Sequence, residues 1–577
     1  MNRFVSALDS FAGITSPGEN GFPEYRWSPD IQEQILQFFF QLVRCDSDRV
    51  NELGSRLDSI LMQLVHPQKY REEERQRIEY ISLLYRMIGH TRDIVCGKGE
   101  YTLSYMMIWT WYHSFPDLAL YALSTFVLLE SDSDLESSSS VHPYGSWKDI
   151  KYFADYCKLR GAEIDHPLIQ YCIQLINRQL RQDLGSYSQN LGSISLCAKW
   201  VPRENSAYSW LFKELAKDFF QNKGFFTTAV QPKSYYKALK KSYTYYRKVL
   251  SELNRSLDTV QIKQCGQQWA SIDHNNTTSI TLARNKLAFL NKDKMGNPRS
   301  ILEDRIQCAE AFRQYVQSRI SSGKNIKGKR VGLHEMTRQA LELLNIETDT
   351  EVQLLNAQWK DNASQTGCLG KMIAMVDTSG SMEGDPLHCA IALGIRVAEN
   401  SILGKRVLTF SKTPTWHSLE NCDTFVSMVR QLAGASWGMN TNFYSALKLI
   451  LDALVEKNVP AEDASGMILA VFSDMQMDHA SDDNIVSVYD LISTMYRNAG
   501  YEPPHILFWN LRSTNGFPSL STQENVSMMS GFSPSLLNAF CEKGLDALKT
   551  ATPWNAMVDI LLNERYDPLA KRLETTM

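Results

Sequence analysis

Apolar residues recur at helical spacing along the first part of the chain. Ile35, Leu36, Phe39, Leu42 and Val43 fall on one face of a helix. The same spacing predicts further helices over Leu103–His113, Pro116–Leu129, Trp147–Arg160, Pro167–Leu184 and Trp210–Gln221. Helices of this length joined by short loops favour stacked antiparallel pairs. We therefore predict an all-α, HEAT-like helical-repeat region over residues 29–360, without a strict repeat period, and an extended segment over residues 1–28.

The pattern changes near residue 365, where short apolar runs begin to alternate with amphipathic helices. Strands are predicted for a run ending at Asp377 and for Arg406–Ser411, Thr415–Leu419, Met467–Asp474, His505–Leu511 and Val526–Ser530. This alternation predicts a multidomain chain whose residues 365–577 form an α/β, doubly wound, Rossmann-like sheet, mostly parallel and with helices on both faces. The last helix, Trp554–Asn563, either covers an edge of this sheet or returns to the helical region.

Oxygen-bearing side chains follow the first strand and recur at two later positions. Asp377, Ser379 and Ser381 come directly after that strand. Thr441 precedes an amphipathic helix, and Asp474 ends another apolar run. Open α/β sheets bind ligands at the carboxyl ends of their strands, and Mg²⁺ requires a near-octahedral shell of hard oxygens. The alternative is that Asp377 and Ser379 only cap a helix and shape a turn.

These five residues match, position for position, the metal-ion-dependent adhesion site of von Willebrand factor A domains, which the C-terminal part of the chain resembles. The resemblance implies a divalent cation, Mg²⁺ or else Mn²⁺ or Ca²⁺, held by Ser379, Ser381 and Thr441. Asp377 and Asp474 would contribute directly or through water. Neutral hydroxyls with few carboxylates leave residual positive charge on the cation. An Asp or Glu of a protein partner could therefore fill an open position.

Two stretches of the helical region carry clustered cations and no acidic residue, Phe219–Ser251 and Ala311–His334. Clustered cations bind phosphates, and flanking aromatic rings can stack on unpaired bases. The alternative is a solvated basic face over a tyrosine-rich core stripe. Gly323 and Gly328 are expected to keep part of the second stretch flexible. The candidate nucleic-acid-binding residues are Lys233, Tyr235, Lys237, Lys240, Lys241, Arg247, Lys248, Lys324, Lys327, Lys329 and Arg330.

Composition adds few constraints to this picture. The 577 residues are 44% hydrophobic and 21% charged, as in ordinary globular proteins. The net charge of −4 gives no overall attraction to nucleic acid, so any such binding must use local patches. The 11 cysteines show no paired spacing, which favours reduced thiols inside a cell. No apolar run is long enough to span a bilayer. We expect a soluble, cytoplasmic, monomeric protein with no membrane contact.

The layout of helices followed by this kind of α/β domain resembles the Ro ribonucleoprotein family, in which a ring of helical repeats (the TROVE module) is closed by a von Willebrand A domain. The chain is also similar to an uncharacterised family of that layout from plants, fungi and large DNA viruses. The resemblance implies binding of structured or misfolded non-coding RNA. No RNA contact of the Ro ring transfers residue by residue. The segments that carry the similarity are Glu19–Pro23, Gly97–Glu100, Tyr144–Asp149, Tyr246–Leu250 and Thr552–Trp554.

Three classes of function follow from these patterns. The first is an RNA-binding ribonucleoprotein component, and the second is a metal-dependent scaffold that holds a protein partner without RNA. The third, an enzyme, is disfavoured. Haloacid-dehalogenase chemistry needs an acid two residues after the nucleophile, where this chain has Ser379. Neither a Gly-x-Ser-x-Gly elbow nor a Walker loop is present in the sequence.

Overall fold

The computed structural model describes residues 15–17, 23–65, 74–129, 142–189, 192–229, 231–344, 349–410, 413–434, 443–476, 488–541 and 551–577. Within these ranges a helical N-terminal region is followed by a mixed α/β sheet domain, which confirms the coarse layout predicted from the two periodicities. Two short antiparallel strands, β1 (Thr15–Pro17) and β2 (Pro23–Tyr25), precede the first helix.

Side chains cap some helices of the first region at their N-termini. Asp30 accepts a hydrogen bond from the backbone N–H of Glu33 at 3.0 Å, and Ser146 and Asp149 form a capping box. The bounds are α1 Ile31–Gln41, α2 Ser47–Val65, α3 Glu74–Arg92, α4 Tyr101–Ser114, α5 Pro116–Ser124, α6 Trp147–Leu159, α7 Pro167–Ser188, α8 Cys197–Trp200, α9 Ser209–Phe220, α10 Gly224–Thr227, α11 Pro232–Leu257, α12 Val260–Cys265, α13 Ser279–Phe289, α14 Glu303–Ser321, α15 Leu333–Glu342 and α16 Thr350–Ala363.

The α/β domain is built on a six-stranded sheet in the order β5-β4-β3-β6-β7-β8. All neighbouring strands are parallel except β4 and β5, which pair as an antiparallel hairpin. Its elements are β3 Met372–Asp377, α17 Asp385–Asn400, β4 Arg406–Phe410, β5 Thr415–Ser418, α18 Phe425–Ala433, α19 Phe443–Glu456, α20 Ala461–Ala464, β6 Ile468–Ser473, α21 Val488–Asn498, β7 His505–Asn510, β8 Val526–Ser530, α22 Asn538–Cys541, α23 Pro553–Leu561 and α24 Asp567–Glu574.

One hydrophobic core runs through both parts of the chain, from Ile31 in α1 to Leu573 in α24. Helices α15 and α16 of the first region pack on α17 and α18 of the sheet domain. Helix α17 lies close against β3 because Gly394 has no side chain. A Cβ atom at that position would stand 2.6 Å from Cγ2 of Val376. The two regions therefore share a core rather than meeting at a polar interface.

The last helices return to the helical region and also cover the sheet. Helix α23 packs on β8, the strand at one edge, and on α3, while α24 packs on α3 and α5. Both alternatives predicted for the last helix are therefore present. Thr552 caps α23 by accepting from the N–H of Asn555 at 3.2 Å. The edge strand β8 also contacts α1, so the two regions pack directly against each other there.

Two of the segments that carry the family similarity, Gly97–Glu100 and Tyr144–Asp149, contain buried charged residues. The Lys98 ammonium lies at the C-terminus of α1 and donates to the carbonyls of Phe39 and Leu42 at 2.8 and 3.0 Å, and to Oγ of Ser530 at 2.6 Å. Burial lowers its pKa well below the ordinary lysine value. Asp149 accepts two hydrogen bonds from the Arg92 guanidinium, both at 2.8 Å.

The structure also bears on membrane crossing and on the state of the cysteines. No helix in the described ranges combines the length and the apolar character that crossing a membrane requires. Ten cysteines, from Cys45 to Cys422, are free thiols.

Candidate functional site

The carboxylates of Asp377 and Asp474 meet at the carboxyl edge of the sheet. Asp377 is the last residue of β3, and Asp474 directly follows β6, the strand paired with β3 in parallel. Both side chains are fully buried, with 0% exposure. Parallel neighbours end at the same edge of a sheet, so the pairing predicted from the two apolar runs brings these carboxylates together.

The two serines of the motif lie beside Asp377. The backbone N–H of Ser379 donates to Oδ1 of Asp377 at 2.9 Å, and the hydroxyls of Ser379 and Ser381 are 3.1 Å apart. The Ser473 hydroxyl donates to Oδ2 of Asp377 at 2.6 Å. Asp377 does shape the turn, as the alternative interpretation holds, but the Ser379 side chain caps no helix. Its hydroxyl and that of Ser381 therefore face each other beside a buried carboxylate.

The electrostatics of this cluster are unbalanced. Burial, and next to it the Asp474 carboxylate, raise the pKa of Asp377 to about 7. Oδ2 of Asp474 is buried and accepts no hydrogen bond from the described residues. The cation closest to it is the half-exposed Arg512 guanidinium, 3.5 Å away. Two buried carboxylates with one peripheral cation form a site that additional positive charge would stabilise.

The donor set fits a hard divalent cation. Among the described residues no three His, Cys, Asp or Glu side chains form a metal-binding group. A cation here would therefore need hydroxyl ligands, and Ser379 and Ser381 provide them next to Asp377 and Asp474. The fifth candidate, Thr441, lies in residues 435–442, outside the described residues. Hydroxyl and carboxylate oxygens are ligands that Mg²⁺ accepts.

Arg512 is a site residue that the sequence did not reveal. It follows β7, donates to the backbone carbonyl of Ser381 at 2.9 Å and lies beside Asp474. Its own backbone N–H is held by Oδ1 of Asn510 at 3.0 Å. The one available signal was its position just after a buried parallel strand, the same location that singled out Asp377 and Asp474.

Asp385 contacts the helical region. It begins α17, just after Ser379 and Ser381, which we call the serine motif. Its carboxylate is 3.5 Å from the Arg44 guanidinium, and Arg44 in turn binds Glu100 at 3.1 Å. His334 is 3.9 Å from the same carboxylate. Burial lowers the pKa of His334 to about 4, so at neutral pH this ring is uncharged. Arg44 and His334 of the helical region therefore lie beside Asp385, the first residue of α17.

The candidate cations of the first basic stretch lie on the exposed side of α11. All seven candidates from Lys233 to Lys248 are exposed, whereas Tyr246 and Leu250 are buried. Tyr246 donates from its hydroxyl to Asn177 at 2.9 Å, so it belongs to the core. Arg247 is already paired with Glu204. The stretch is thus a basic exposed face, and the opposite face packs Tyr246 and Leu250 into the core. Tyr235, near its N-terminal end, is 38% exposed.

Two of these lysines rest on aromatic rings. The Lys240 ammonium is 5.5 Å from the ring centroid of Tyr236, and that of Lys241 is 4.8 Å from the ring of Phe225. Tyr236 is 60% exposed. Lysines of α11 therefore lie beside the exposed ring of Tyr236 and the half-buried ring of Phe225 in α10.

The second basic stretch forms a loop that is fixed at its centre. Lys324, Lys327, Lys329 and Arg330 are exposed, and the Arg330 guanidinium donates to the carbonyl of Ile94. Gly328 does not serve flexibility, as the sequence suggested. A Cβ atom there would stand 1.9 Å from the carbonyl oxygen of Gln358. The N–H of Gly328 donates to Asp361 at 2.8 Å, and the expectation for this glycine was wrong because the loop packs directly on α16.

The same loop is connected to the sheet domain. The Asn362 amide donates to the carbonyls of Gly328, Lys329 and Val331 at 3.2–3.3 Å. The fully buried Arg396 of α17 donates to both oxygens of Asn362 at 3.2 and 3.0 Å. Helix α17 therefore connects the serine motif at its start to the basic loop near its end.

Comparison with known proteins finds similarity over most of the chain. Two family models match, a domain of unknown function (DUF2828) over residues 167–371 and a domain of unknown function (DUF7788) over residues 371–564. The two matches meet one residue before β3 begins. The chain is also similar to "Uncharacterized protein L728" of Acanthamoeba polyphaga mimivirus, with 29% identity over 476 residues that cover 79% of this chain and 76% of the viral protein.

Proposed function

We propose that this chain is a non-catalytic, RNA-binding protein of the Ro ribonucleoprotein type whose α/β domain carries a Mg²⁺-dependent adhesion site for an acidic partner ligand. The observation that carries the adhesion site is the meeting of Asp377, Asp474, Ser379 and Ser381 at the carboxyl edge of the sheet. The order of these residues in the sequence, and its resemblance to a von Willebrand A domain, support the same proposal.

Each ligand has a distinct role in this site. Ser379 and Ser381 coordinate the cation through neutral hydroxyls, and Thr441 adds a third. Asp377 and Asp474 supply the negative charge, directly or through water. When bound, Mg²⁺ balances the two buried carboxylates and presents positive charge to a ligand at an open position. Mn²⁺ or Ca²⁺ would bind the same oxygens.

Metal binding can be tested by titration of Mn²⁺ followed by electron paramagnetic resonance, with thermal unfolding measured alongside. Mg²⁺ should raise the Tm of the wild type, because a ligand that binds only the folded state stabilises it. Asp377→Asn should abolish Mn²⁺ binding and the Mg²⁺-dependent rise in Tm. It should not lower the Tm in EDTA, since it removes one of two repelling carboxylates.

The matched control is Asp463→Asn, which removes an exposed carboxylate in α20, before β6 begins. It should bind Mn²⁺ like the wild type. Equal Mn²⁺ binding by Asp377→Asn and the wild type would refute the adhesion site.

The RNA-binding part of the proposal is supported by the exposed cations of α11 and of the 324–330 loop. An RNA strand releases counterions when its phosphates contact lysines, so the affinity of the RNA for the protein falls steeply as the salt concentration rises. Lys237→Gln with Lys240→Gln should reduce the slope of log affinity against log salt for single-stranded RNA by about 1.4, at about 0.7 per phosphate contact. The control is Lys448→Gln with Lys457→Gln, which makes the same charge change at exposed positions in and after α19.

A metal-dependent scaffold without RNA is the competing function. Purification from native cells, with sequencing of the co-purifying RNA, separates the two. The comparison variant lacks the charges of Lys324, Lys327, Lys329 and Arg330. RNA enrichment that this variant loses supports the ribonucleoprotein. A protein complex that EDTA or Asp377→Ala dissociates, without any enriched RNA, supports the scaffold.

A further inference from the structure

A wide basin opens between α2, α4 and α6 of the helical region, with a volume of about 800 Å³. It falls within the roughly 300–1,000 Å³ of known ligand sites. We call it the aromatic basin, because six rings line it: Tyr101, Tyr105, Trp109, Tyr152, Tyr156 and Tyr208. Tyr105 is buried, but Tyr101 is 46% exposed and Tyr152 is half-buried.

Cations stand among these rings. The Lys148 ammonium is 5.6 Å from the ring centroid of Tyr101 and 5.3 Å from that of Tyr152. The Lys151 ammonium is 4.5 Å from the ring of Tyr152 and 5.0 Å from that of Tyr208. Such contacts hold an ammonium over the negative face of a ring. Lys148 therefore lines the basin itself, whereas Lys151 lies next to two of its rings without belonging to the lining.

One carboxylate, Asp155, also lines the basin and accepts a hydrogen bond from the Trp210 indole at 3.4 Å. The other nearby acid, Asp149, does not neutralise Lys148. Asp149, whose carboxylate acts on Lys148, already accepts from Arg92 at 2.8 Å and from the Tyr105 hydroxyl at 2.6 Å. Burial lowers the pKa of Lys148, and also that of Lys151. An anionic ligand would therefore replace water at cations that are already partly desolvated.

We propose that the aromatic basin binds unpaired nucleotides of an RNA strand, with bases replacing the ammonium groups on the rings of Tyr101 and Tyr152, and with phosphates bound by the displaced Lys148 and Lys151. This inference rests on the RNA-binding part of the proposed function and specifies the form of RNA. A base within a duplex cannot stack on a side-chain ring, so the basin selects single-stranded segments. The face of α11 offers its lysines to any phosphate backbone and makes no such selection.

The test is fluorescence anisotropy with a labelled oligouridylate and a blunt RNA duplex of the same length. Tyr101→Ala and Tyr152→Ala should each weaken oligouridylate binding about ten-fold, the size of one lost base–ring stack. Tyr101→Phe and Tyr152→Phe keep the ring and should bind like the wild type. The control, Tyr187→Ala, removes a 38% exposed tyrosine at the end of α7, outside the basin, and should change nothing.

A second variant keeps the test valid if a ring substitution unfolds the chain. Lys151→Gln leaves every ring in place and should lower the salt slope for oligouridylate by about 0.7. Duplex binding should be unaffected by any basin variant, whereas Lys237→Gln with Lys240→Gln should weaken it.

The outcomes separate this inference from the proposed function. If oligouridylate binds the wild type and all basin variants equally, the basin is not the site, while RNA binding stands. If neither RNA binds the wild type, both the basin inference and the RNA-binding part of the proposed function are wrong. If a proline-rich peptide binds instead and is lost in the alanine variants, the basin is a peptide site, because stacked rings also accept proline.

Discussion

At the scale of single residues, the candidate metal site depends on two buried carboxylates whose negative charge no cation of the described sheet strands balances. Asp377 and Asp474 are both fully buried, and burial with mutual repulsion raises the pKa of Asp377. Sequence alone predicted that these two would lie together, since each ends or follows an apolar strand. It did not reveal Arg512, because an arginine after a strand resembles any other exposed cation.

Arg512→Ala should tighten metal binding. The guanidinium lies 3.5 Å from Asp474 and is half exposed, so it competes with a metal ion for the same carboxylate through a partly screened interaction. Screened pairs are worth roughly 0.2–1 kcal/mol, which corresponds to up to about five-fold in Mn²⁺ affinity. Mn²⁺ titration measures the change. Arg512→Lys retains the charge and should bind Mn²⁺ like the wild type; weaker binding by Arg512→Ala would show that the arginine orients Asp474 instead.

At the scale of elements, the sequence predicted the strands well and the loops poorly. The six strands of the main sheet form near the predicted bounds, because short apolar runs between turn residues have few other stable conformations in a buried sheet. The role of Gly328 was missed because only the folded structure places Gln358 against it. The burial of Lys98 was missed for the same reason. A lysine is expected at the surface, and only the folded structure places α1 and β8 around it.

A small second core, formed by α13, α14 and α16, contains a histidine without polar partners. The ring of His274 lies 5.1 Å from that of Phe289 and 4.9 Å from that of Phe312, and neither ring nitrogen accepts or donates a hydrogen bond among the described residues. Burial lowers its pKa to about 4. The side chain is 5% exposed, so protonation is costly in the folded state.

His274→Phe should stabilise the chain, and more so in acid. At pH 7 it removes two unsatisfied buried atoms, worth on the order of 1 kcal/mol. The unfolded histidine takes up a proton below its ordinary pKa of about 6.5, but the folded one does not until about pH 4. Wild-type stability therefore falls as pH drops through this window, by about 2 kcal/mol from this residue at pH 5.

Urea unfolding at pH 7 and pH 5 measures both effects. The gain from His274→Phe should be larger at pH 5. An equal gain at the two pH values would mean that His274 is protonated in the folded protein. His417→Phe is a useful comparison, because that half-buried ring is 2.9 Å from the Thr409 hydroxyl and its loss should stabilise nothing.

At the scale of the whole molecule, the helical region and the sheet domain share the main hydrophobic core. Periodicity predicted two kinds of structure in order along the chain, but it could not show how they contact. Those contacts are made by the shared core and by isolated polar residues far apart in sequence. Arg565, before α24, binds the fully buried Asp93, after α3, through two hydrogen bonds at 2.5 and 2.7 Å.

Arg565→Met should destabilise the whole chain in one transition. It leaves the Asp93 charge buried without its cation, which costs roughly 3–5 kcal/mol. Because the core is continuous from α1 to α24, helical and sheet signals should shift together. Far-UV circular dichroism and tryptophan fluorescence during urea unfolding measure this. Arg406→Met, which breaks an exposed pair with Glu420, should cost less than about 1 kcal/mol. Separate shifts of the two signals would show that the regions unfold independently.

Helix α17 gives the two candidate sites a common mechanical element. It is 16 residues long, or about 24 Å, beginning beside the serine motif, and Arg396 in its last turns holds Asn362 and thereby the basic loop. If a cation shifted this helix along its axis, Arg396 would move with it, and with Arg396 the residue that binds the carbonyls of the loop. By thermodynamic reciprocity, RNA on that loop would change cation affinity by the same factor as the cation changes RNA affinity.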